Sequence, residues 1–459
     1  MMKLLLLLLA AMAFVPAAFA QNDNLSETAL RQVYVSTANA VEPSCTILSA
    51  PDGCSGSAID ADKVSGRLSI VAGSSTVYDS GNYVKDESGI TIKVRGNGSA
   101  DKKSFKVKLQ KKADLLARSS DTNFKDKEWV LLNDADLKDV VGFWVNSLVG
   151  LPWTPGCELV ELYINNDYRG VYLLAESVKR NDKCRINVDE DAGYILERDA
   201  SWWAEDVYFS SPFFASDLKF RWSFKYPDSD DVLDSQVSFI QQAVSLMEEA
   251  ISSGTYDSYL DVQSFAAWLL GYDILGATSD NGLNVYLAKA DESDNSKIFM
   301  TNMWDFGSIY KAGSYDYASI HSHARFYFPQ LFASSNTAFA QAYYDAWTNA
   351  KSSLFTSVIG KLDALAASSF ASALQSARTR DDVKWGTSSQ SVADEIVDAK
   401  AWFSSRQSML KAMIEDGKTA IPNVSVATVS SPVCYTLSGV RATSNSTGLV
   451  VRDGRLCRK

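Results

Sequence analysis

The sequence predicts an α+β fold, in which a β-rich N-terminal region precedes a helical region and a small terminal β segment. Two patterns carry this prediction. Up to about residue 230, apolar residues recur mainly at period two, which is typical of strands with one buried face. After Pro227 the apolar spacing becomes that of amphipathic helices. Strands followed by helices favour a two-lobed arrangement with a ligand cleft between the lobes.

The strands of the N-terminal region are predicted from short apolar runs that end at turn-forming residues. Residues 90–94 and 105–109 alternate at period two on either side of the glycine-containing turn 95–99. Residues 129–132 are apolar throughout, as expected for a buried strand. Further strands are predicted at 33–35, at 160–164 and 170–174 with the hairpin turn 165–167 between them, and at 193–197.

The helices are predicted mainly after this region. An early one covers 140–149, before Gly150 and Pro152. Residues 235–252 have helical apolar spacing, and 265–275 are apolar almost all round, which predicts a helix buried in the core. The remaining predictions are a strand pair at 285–288 and 298–300, several helices over 337–415, and β segments at 424–429 and 448–451 with a turn at 453–454.

The first 20 residues have the three parts of a secretory signal peptide. A start containing Lys3 precedes an apolar run over 4–15, and residues 18–20 form an Ala-Phe-Ala cleavage site. This run is shorter than the roughly 20 residues of a membrane-spanning helix, and charged or polar residues interrupt every later candidate. We therefore expect an exported chain without a membrane span, in the periplasm, at the cell surface or outside the cell.

The predicted organisation has four parts. Residues 1–20 are the signal peptide, and 21–64 form a lead-in with one strand. Residues 65–415 form the main domain, whose β-rich lobe extends to about residue 230. Residues 419–459 form the small β tail.

The overall charge excludes one class of partner. The chain has 46% apolar and 22% charged residues, as ordinary globular proteins do, and its net charge is −11. An acidic surface repels phosphate backbones and anionic membranes, so nucleic-acid binding is not expected.

The six cysteines predict disulfide bonds in an exported chain. Proximity in the sequence favours the pairs Cys45–Cys54, Cys157–Cys184 and Cys434–Cys457. Their spacing does not match a zinc site, because no CxxC is present and the only histidines are His321 and His323.

The residues most suggestive of chemistry follow the predicted buried helix. Asp280 and Asn284 lie four residues apart, and Asp305 comes after the short strand pair. Phosphoryl transfer needs a carboxylate to orient the attacking hydroxyl and oxygen ligands for a divalent cation. Asp280 fits the first role, and Asn284 and Asp305 fit the second, with Mg²⁺ (or Mn²⁺) as the metal. The alternative interpretation is ordinary turn chemistry.

Cations for binding phosphate occur in the N-terminal region. Arg95 begins the glycine-containing turn, and Lys103, Lys106 and Lys108 follow it. The alternative is the solvated face of an edge strand, where lysine is common. The aromatic pair 202–203 and the run 326–328 are interpreted as core packing or as a carbohydrate platform, and the two histidines as loop or core residues.

Several of these segments, in the same order, resemble the signatures of the spore-coat CotH kinase family. The matching segments are 95–108, 127–133, 150–155, 161–176, 284–289 and 304–307, and the resemblance covers about residues 65–415. It implies an atypical protein-kinase-like fold that uses ATP and a divalent metal to phosphorylate proteins. It also implies the catalytic role for Asp280, the metal roles for Asn284 and Asp305, and a place for Glu176 in the nucleotide site.

Two departures from the family pattern favour an alternative. A second acidic residue is often found where this chain has Gly307, and an Arg-Asn pair where it has Gly142-Phe143.

The resemblance gives the expected function, an exported kinase acting with ATP on Ser or Thr of an exported protein. The alternative is an inactive structural module of the cell envelope that binds a glycan or a protein. The tail resembles the C-terminal β tail of exported Bacteroidetes proteins.

Overall fold

The computed structural model describes residues 28–96, 98–118, 122–215, 218–277, 284–311, 327–415, 434–436, 449–452 and 455–458. Within these residues the fold is mixed α+β, as predicted, with a large β-rich N-terminal portion and C-terminal helices. Contacts divide the chain into two units, Met1–Lys411 and Ala412–Lys459.

The β-rich portion contains a large eight-stranded sheet. The strands from the first described residues to the last strand of this sheet are, in chain order, β1 (Gln32–Thr37), β2 (Cys45–Leu48), β3 (Ala58–Ala61), β4 (Val64–Ala72), β5 (Ser75–Asp79), β6 (Ile90–Arg95), β7 (Ser104–Ala113), β8 (Asp126–Leu132), β9 (Cys157–Ile164) and β10 (Asp167–Glu176). The sheet order is β1-β9-β10-β8-β7-β6-β4-β5, and β1 also pairs with β4. β2 and β3 form a separate hairpin. β1, which the sequence analysis places in the lead-in, belongs to the main sheet.

The alternation of apolar residues places one face of this sheet in a core. Ile92 on β6, Val107 on β7 and Leu131 on β8 are at most 1% exposed and belong to the same buried cluster. At the β9–β10 turn, Asn165 and Asn166 have φ angles of 52° and 65°. A two-residue hairpin turn needs this left-handed backbone, and asparagine adopts it more easily than most residues. The predicted hairpin is therefore confirmed.

A second, five-stranded sheet combines strands from two distant parts of the chain. Its strands are β11 (Tyr194–Asp199), β12 (Tyr208–Phe209), β13 (Arg221–Tyr226), β14 (Val285–Lys289) and β15 (Ile298–Met300), in the order β12-β13-β11-β14-β15. All of its pairings are antiparallel. The pairing of β11 with β14 joins the β-rich portion to the segment that carries the predicted metal ligands.

Seven α-helices lie within the described residues. They are α1 (Lys138–Leu148), α2 (Asp234–Ser253), α3 (Val262–Leu275), α4 (Phe328–Ala333), α5 (Ala338–Ala366), α6 (Ser369–Trp385) and α7 (Val392–Ile414). As predicted, α3 is buried almost all round, and it packs against α1 and α5. α6 packs on β10, where Asp381 Oδ1 accepts from Val171 N at 2.9 Å. No single described helix is long and apolar enough to cross a membrane, although the bent pair α5 and α6 meets the length and composition criteria jointly.

The second unit contains a three-stranded antiparallel sheet with the order β16-β17-β18. Its strands are β16 (Cys434–Thr436), β17 (Leu449–Arg452) and β18 (Arg455–Arg458). The predicted segment at 448–451 corresponds to β17, and the one at 424–429 lies outside the described residues.

Two predicted disulfide bonds are absent from the described structure, namely Cys45–Cys54 and Cys157–Cys184. In the first case the hairpin register explains the absence. Cys45 lies opposite Ala61, whereas Cys54 lies in the loop at the other end of the hairpin, beyond the pair formed by Leu48 and Ala58. Burial raises the pKa of the Cys184 thiol to about 12, so it remains protonated at neutral pH. The side chains of the third predicted pair are not among those that the structure describes.

A buried carboxyl in α3 predicts a pH dependence of stability. Asp273 is 4% exposed, and its Oδ2 accepts from the Tyr343 hydroxyl at 2.6 Å. Burial raises its pKa to about 7. Because the unfolded-state pKa is about 4, the folded state holds the extra proton between about pH 4 and 7. Stability should therefore fall by on the order of 1.4 kcal/mol per pH unit as pH rises through this window.

The substitution Asp273→Asn should remove this pH dependence, because its amide stays neutral and can still accept from Tyr343. In urea unfolding between pH 5 and 8, the free energy of unfolding of the variant minus that of the wild type should increase with pH. A constant difference across this range would contradict the assignment.

Candidate active site

Asn284 and Asp305 lie side by side although 21 residues separate them in the chain. Asn284 directly precedes β14 and Asp305 follows β15, so the hairpin brings both to the same end. Asn284 Nδ2 donates to Asp305 Oδ2 at 3.2 Å. Their φ angles are 59° and 64°, a left-handed conformation that Asn and Asp tolerate better than other non-glycine residues. The hairpin therefore presents an amide and an exposed carboxylate together.

Buried polar groups of α1 hold the backbone on both sides of Asp305. Met303 N donates to Asn146 Oδ1 at 2.6 Å, and Phe306 N donates to Asp139 Oδ1 at 3.1 Å. Asn146 is 0% exposed and Asp139 is 6% exposed. Because both acceptors lie on one helix, α1 fixes the position of the turn that carries the Asp305 carboxylate.

Two carboxylates that the sequence patterns did not single out, Asp134 and Asp139, lie near Asp305. They are hydrogen-bonded to each other, and both interact electrostatically with Asp305. Burial, and then repulsion from Asp134, raises the pKa of Asp139 well above its usual range. Desolvation, and then Asp136, raises the pKa of Asp134. In sequence these acids resemble ordinary residues at a helix N-terminus, but the position of Asp134 shortly after the buried strand β8 was a usable signal.

The ligand chemistry of this site fits a divalent cation that is shared with phosphate. Within the described residues, no group of three or more His, Cys, Asp or Glu side chains could hold a metal by itself. Mg²⁺ is usually held by one or two carboxylates, with water and substrate phosphates completing its shell. Asn284 and Asp305 supply side-chain oxygens of this kind.

The predicted phosphate-binding lysines already have partners. Lys106 Nζ lies 2.7 Å and Lys108 Nζ 3.6 Å from Glu128, and Lys179 also pairs with Glu128 at 2.9 Å. Burial alone would raise the pKa of Glu128, but Lys106 and Lys179 lower it to about 2. Lys103 donates to the carbonyl of Gly98. Since β7 lies between β6 and β8, the edge-strand alternative is wrong.

Arg95 is directed differently from these lysines. Burial and the nearby Glu197 raise the pKa of the Tyr286 hydroxyl on β14. The positive charge of Arg95 opposes this rise, so Arg95 lies close to Tyr286. The Tyr286 hydroxyl donates to Glu197 Oε1 at 2.9 Å. No ion pair joins Arg95 to any residue that the structure describes. Arg95 therefore lies near β14, the strand that Asn284 directly precedes.

The family model described as CotH kinase protein matches residues 92–410, which include strands β7 to β15 and most of the helical region. The chain belongs to the CotH kinase family. This confirms the resemblance that the sequence indicated. No curated protein matches the chain.

The two departures from the CotH family pattern have structural counterparts beside Asp305. Gly307 stands at the position where the family often has a second acidic residue. Its backbone N donates to Asp305 Oδ1 at 3.3 Å, so at this position the backbone contacts the Asp305 carboxylate. Gly142 faces Phe306, and a Cβ atom at Gly142 would lie 2.3 Å from the ring. The glycine therefore allows Phe306 to pack directly against α1.

The substitution Gly142→Ala should destabilise the protein despite the higher helix propensity of alanine. Overpacking costs about 1–3 kcal/mol, whereas replacing a helical glycine gains about 0.5–1 kcal/mol. Gly360 in α5 is the matched control, because a Cβ atom added there would have no neighbouring atom within 4 Å. Urea unfolding should show a loss for Gly142→Ala and a small gain for Gly360→Ala. Equal gains would show that the close packing of Phe306 is unimportant.

Glu176 lies in a buried ion-pair network. It is 1% exposed, and its Oε1 accepts from Arg118 Nη2 at 2.8 Å. Its Oε2 accepts from Gly156 N at 2.8 Å, and Arg118 also pairs with Asp114 at 3.1 Å. The observed contacts of Glu176 are therefore structural, and its contact with a nucleotide stays a prediction.

The remaining candidate residues have different outcomes. Asp280, His321 and His323 lie outside the described residues, so the catalytic role of Asp280 stays a prediction. Tyr327 and Phe328 are 0% exposed, which confirms core packing for this part of the aromatic run. The pair 202–203 is half-buried, and its indole nitrogens donate to the carbonyls of Leu218 and Ser55 at 3.0 and 2.8 Å.

Proposed function

We propose that this CotH-family chain is an exported protein kinase that transfers the γ-phosphoryl group of ATP to Ser or Thr of an exported protein. The observation that supports it most directly is the contact between Asn284 and Asp305 at one end of the β14–β15 hairpin. An exposed carboxylate beside an amide suits a cation that is also bound to nucleotide phosphates. A divalent cation, Mg²⁺ or Mn²⁺, would neutralise charge on these phosphates.

The proposed roles of the protein residues follow from charge and position. Asp280 orients the acceptor hydroxyl and takes its proton as the new oxygen–phosphorus bond forms and ADP leaves. Asn284 and Asp305 hold the metal. Arg95 contacts phosphate from the glycine-containing turn, together with the lysines of β7. Lys106 and Lys108 already form ion pairs with Glu128, so each would have to contact Glu128 and phosphate at the same time. Arg95 and Lys103 are therefore the stronger candidates for the phosphate contact.

The alternative is an inactive module of the cell envelope that binds a protein or a glycan. The absence of a second acidic side chain at Gly307 favours it, since the backbone contacts Asp305 there. This alternative retains the CotH fold but needs neither ATP nor metal.

A thermal shift assay separates these two functions. Saturating ATP with Mg²⁺ or Mn²⁺, at 100 times its dissociation constant, should stabilise a kinase by about 2.7 kcal/mol. ATP without metal should stabilise it less. The absence of any shift across nucleotides and metals, together with a shift on adding glycans, would support the binding module.

A further inference from the structure

A buried ion pair joins α6 to the segment that follows the glycine-containing turn at 95–99. Lys102 Nζ lies 2.7 Å from Asp381 Oδ1, and the two side chains are 13% and 7% exposed. The same Nζ donates to the carbonyl oxygen of Val171 on β10 at 2.7 Å. Asp381 also accepts from Val171 N, so this pair connects α6, β10 and the segment that carries Lys102.

The backbone of β10 has a conformation that makes room for this pair. A bulge shifts the β9–β10 register between Tyr168 and Gly170, and Gly170 has a φ angle of 100°. A Cβ atom at Gly170 would lie 1.6 Å from Asp381 Oδ1, so a side chain there would displace the carboxylate. Charges that are removed from water are stabilised only when their partners are well placed. The bulge and the glycine allow this placement.

The backbone of Lys102 is also held by Asn133, which directly follows β8. Asn133 Nδ2 donates to the Lys102 carbonyl at 2.6 Å, and Asn133 N donates to Ser104 Oγ at 3.0 Å. The next residue is Asp134, whose carboxylate interacts electrostatically with both Lys102 and Asp305. Lys102 is therefore linked to α6 through its side chain and to the segment that carries Asp134 through its backbone.

The segment anchored in this way carries candidates for the phosphate contact. Lys103 Nζ donates to the carbonyl oxygen of Gly98, within the turn that Arg95 begins. The Tyr172 hydroxyl on β10 donates to the Lys103 carbonyl at 2.9 Å. Donors that are oriented before binding give higher affinity, because ordering them on binding costs free energy. Anchoring at Lys102 should therefore affect how tightly this turn contacts phosphate.

We propose that Lys102 and Asp381 are positioning residues that hold the glycine-containing turn in the orientation in which it contacts the ATP phosphates. The Lys102 ammonium bonds to its two acceptors inside the protein and acts on the nucleotide through the neighbouring donors Lys103 and Arg95. The helical region thereby sets the geometry of a phosphate contact in the β-rich portion. The identity of the ligand rests on the proposed function, whereas the anchoring contacts are observed in the structure.

Two variants separate positioning from stability. Lys102→Met alone leaves the buried Asp381 charge without its cation, so it should lower the melting temperature. The double variant Lys102→Met with Asp381→Asn carries neither charge, and its asparagine can still accept from Val171 N, so the melting temperature should largely recover. The segment after the turn nevertheless stays unanchored. Lys384→Gln is the control, because Lys384 pairs with Asp167 across the same α6–β10 contact, with side chains 31% and 51% exposed.

Nucleotide binding to the full chain is measured by calorimetry with Mg²⁺ and a non-hydrolysable ATP analogue. The double variant should bind this analogue about tenfold more weakly than the wild type, which corresponds to the loss of about one charge-assisted hydrogen bond. Adenosine should bind both proteins equally, since it has no phosphate. Lys102→Arg keeps the charge and can bond to both acceptors, so it should retain most of the affinity, and Lys384→Gln should retain all of it.

Two further measurements report on the same role. In kinase assays the double variant should raise KM for ATP by a factor similar to its loss of affinity, with a smaller effect on kcat. Hydrogen exchange of the backbone amides at 98–103 should be faster in the double variant than in the wild type, because the segment has lost its anchor.

The outcomes distinguish the positioning role from the proposed function. If the wild type binds the ATP analogue but transfers no phosphate, and the double variant loses affinity, the positioning role stands and the kinase function fails. If the double variant binds the analogue as tightly as the wild type and phosphorylates with the wild-type KM, the positioning role is overturned and the kinase function stands. Equal losses of affinity for the analogue and for adenosine would also overturn the positioning role. A wild type that binds no nucleotide would overturn both.

Discussion

Replacing Asp305 by asparagine is expected to lower the rate of γ-phosphoryl transfer by about 100-fold or more. A metal ion stabilises transition-state charge by several kcal/mol, and each 1.4 kcal/mol corresponds to a factor of ten in rate. The variant keeps the size of the side chain and can still accept from Asn284 Nδ2, so its fold should be unchanged. It removes the negative charge that holds the cation.

The measurement is the initial rate of phosphate transfer from labelled ATP at saturating metal. Asp294→Asn is the matched control, because Asp294 is exposed in the loop at the other end of the same hairpin. The control should retain the wild-type rate. Equal rates for Asp305→Asn and the wild type would show that Asp305 does not hold the metal.

The substitution Arg118→Met is expected to destabilise the protein by about 3–5 kcal/mol. The side chains of Arg118, Glu176 and Asp114 are 4%, 1% and 5% exposed. Removing the guanidinium leaves two buried carboxylates without their cation, and an unpaired buried charge has a cost of this size. Among the residues that the structure describes, Gly156 N would be the one donor left to the Glu176 carboxylate.

Urea unfolding measures this effect against an exposed pair. Arg67→Met breaks the ion pair between Arg67 and Asp79, whose side chains are 49% and 35% exposed. This loss should change the stability little, because solvent screens exposed ion pairs. The double variant Arg118→Met with Glu176→Met should recover part of the lost stability. Its ATP affinity then reports on the predicted nucleotide contact of Glu176. A loss for Arg118→Met no larger than that for Arg67→Met would contradict a structural role for the network.

Local patterns predicted most of the secondary structure. Period-two alternation identified β6 and β7, and the apolar sequence of α3 indicated its burial. The pairings between distant segments were not predictable in this way. The parallel pairing of β1 with β9 and the pairing of β11 with β14 depend on packing across more than 80 residues. For the same reason β1 was assigned to a lead-in rather than to the main sheet.

The candidate site was predictable only in part. Asn284 and Asp305 stood out because their residue types and spacing match a chemical requirement, and the hairpin does bring them together. Asp139 did not stand out, because its role depends on the burial of its carboxyl against Phe306. The disulfide prediction used sequence proximity, which carries no information about the hairpin register that separates Cys45 from Cys54.

The most direct test of the proposed kinase function is phosphate transfer by the purified full chain. The protein is incubated with γ-labelled ATP, Mg²⁺ or Mn²⁺ and an exported-protein fraction, and the modified residues are mapped by mass spectrometry. We expect metal-dependent labelling of Ser or Thr that Asp305→Asn abolishes and Asp294→Asn retains. Absence of labelling by the wild type with either metal, or equal labelling by Asp305→Asn, would contradict the proposed function.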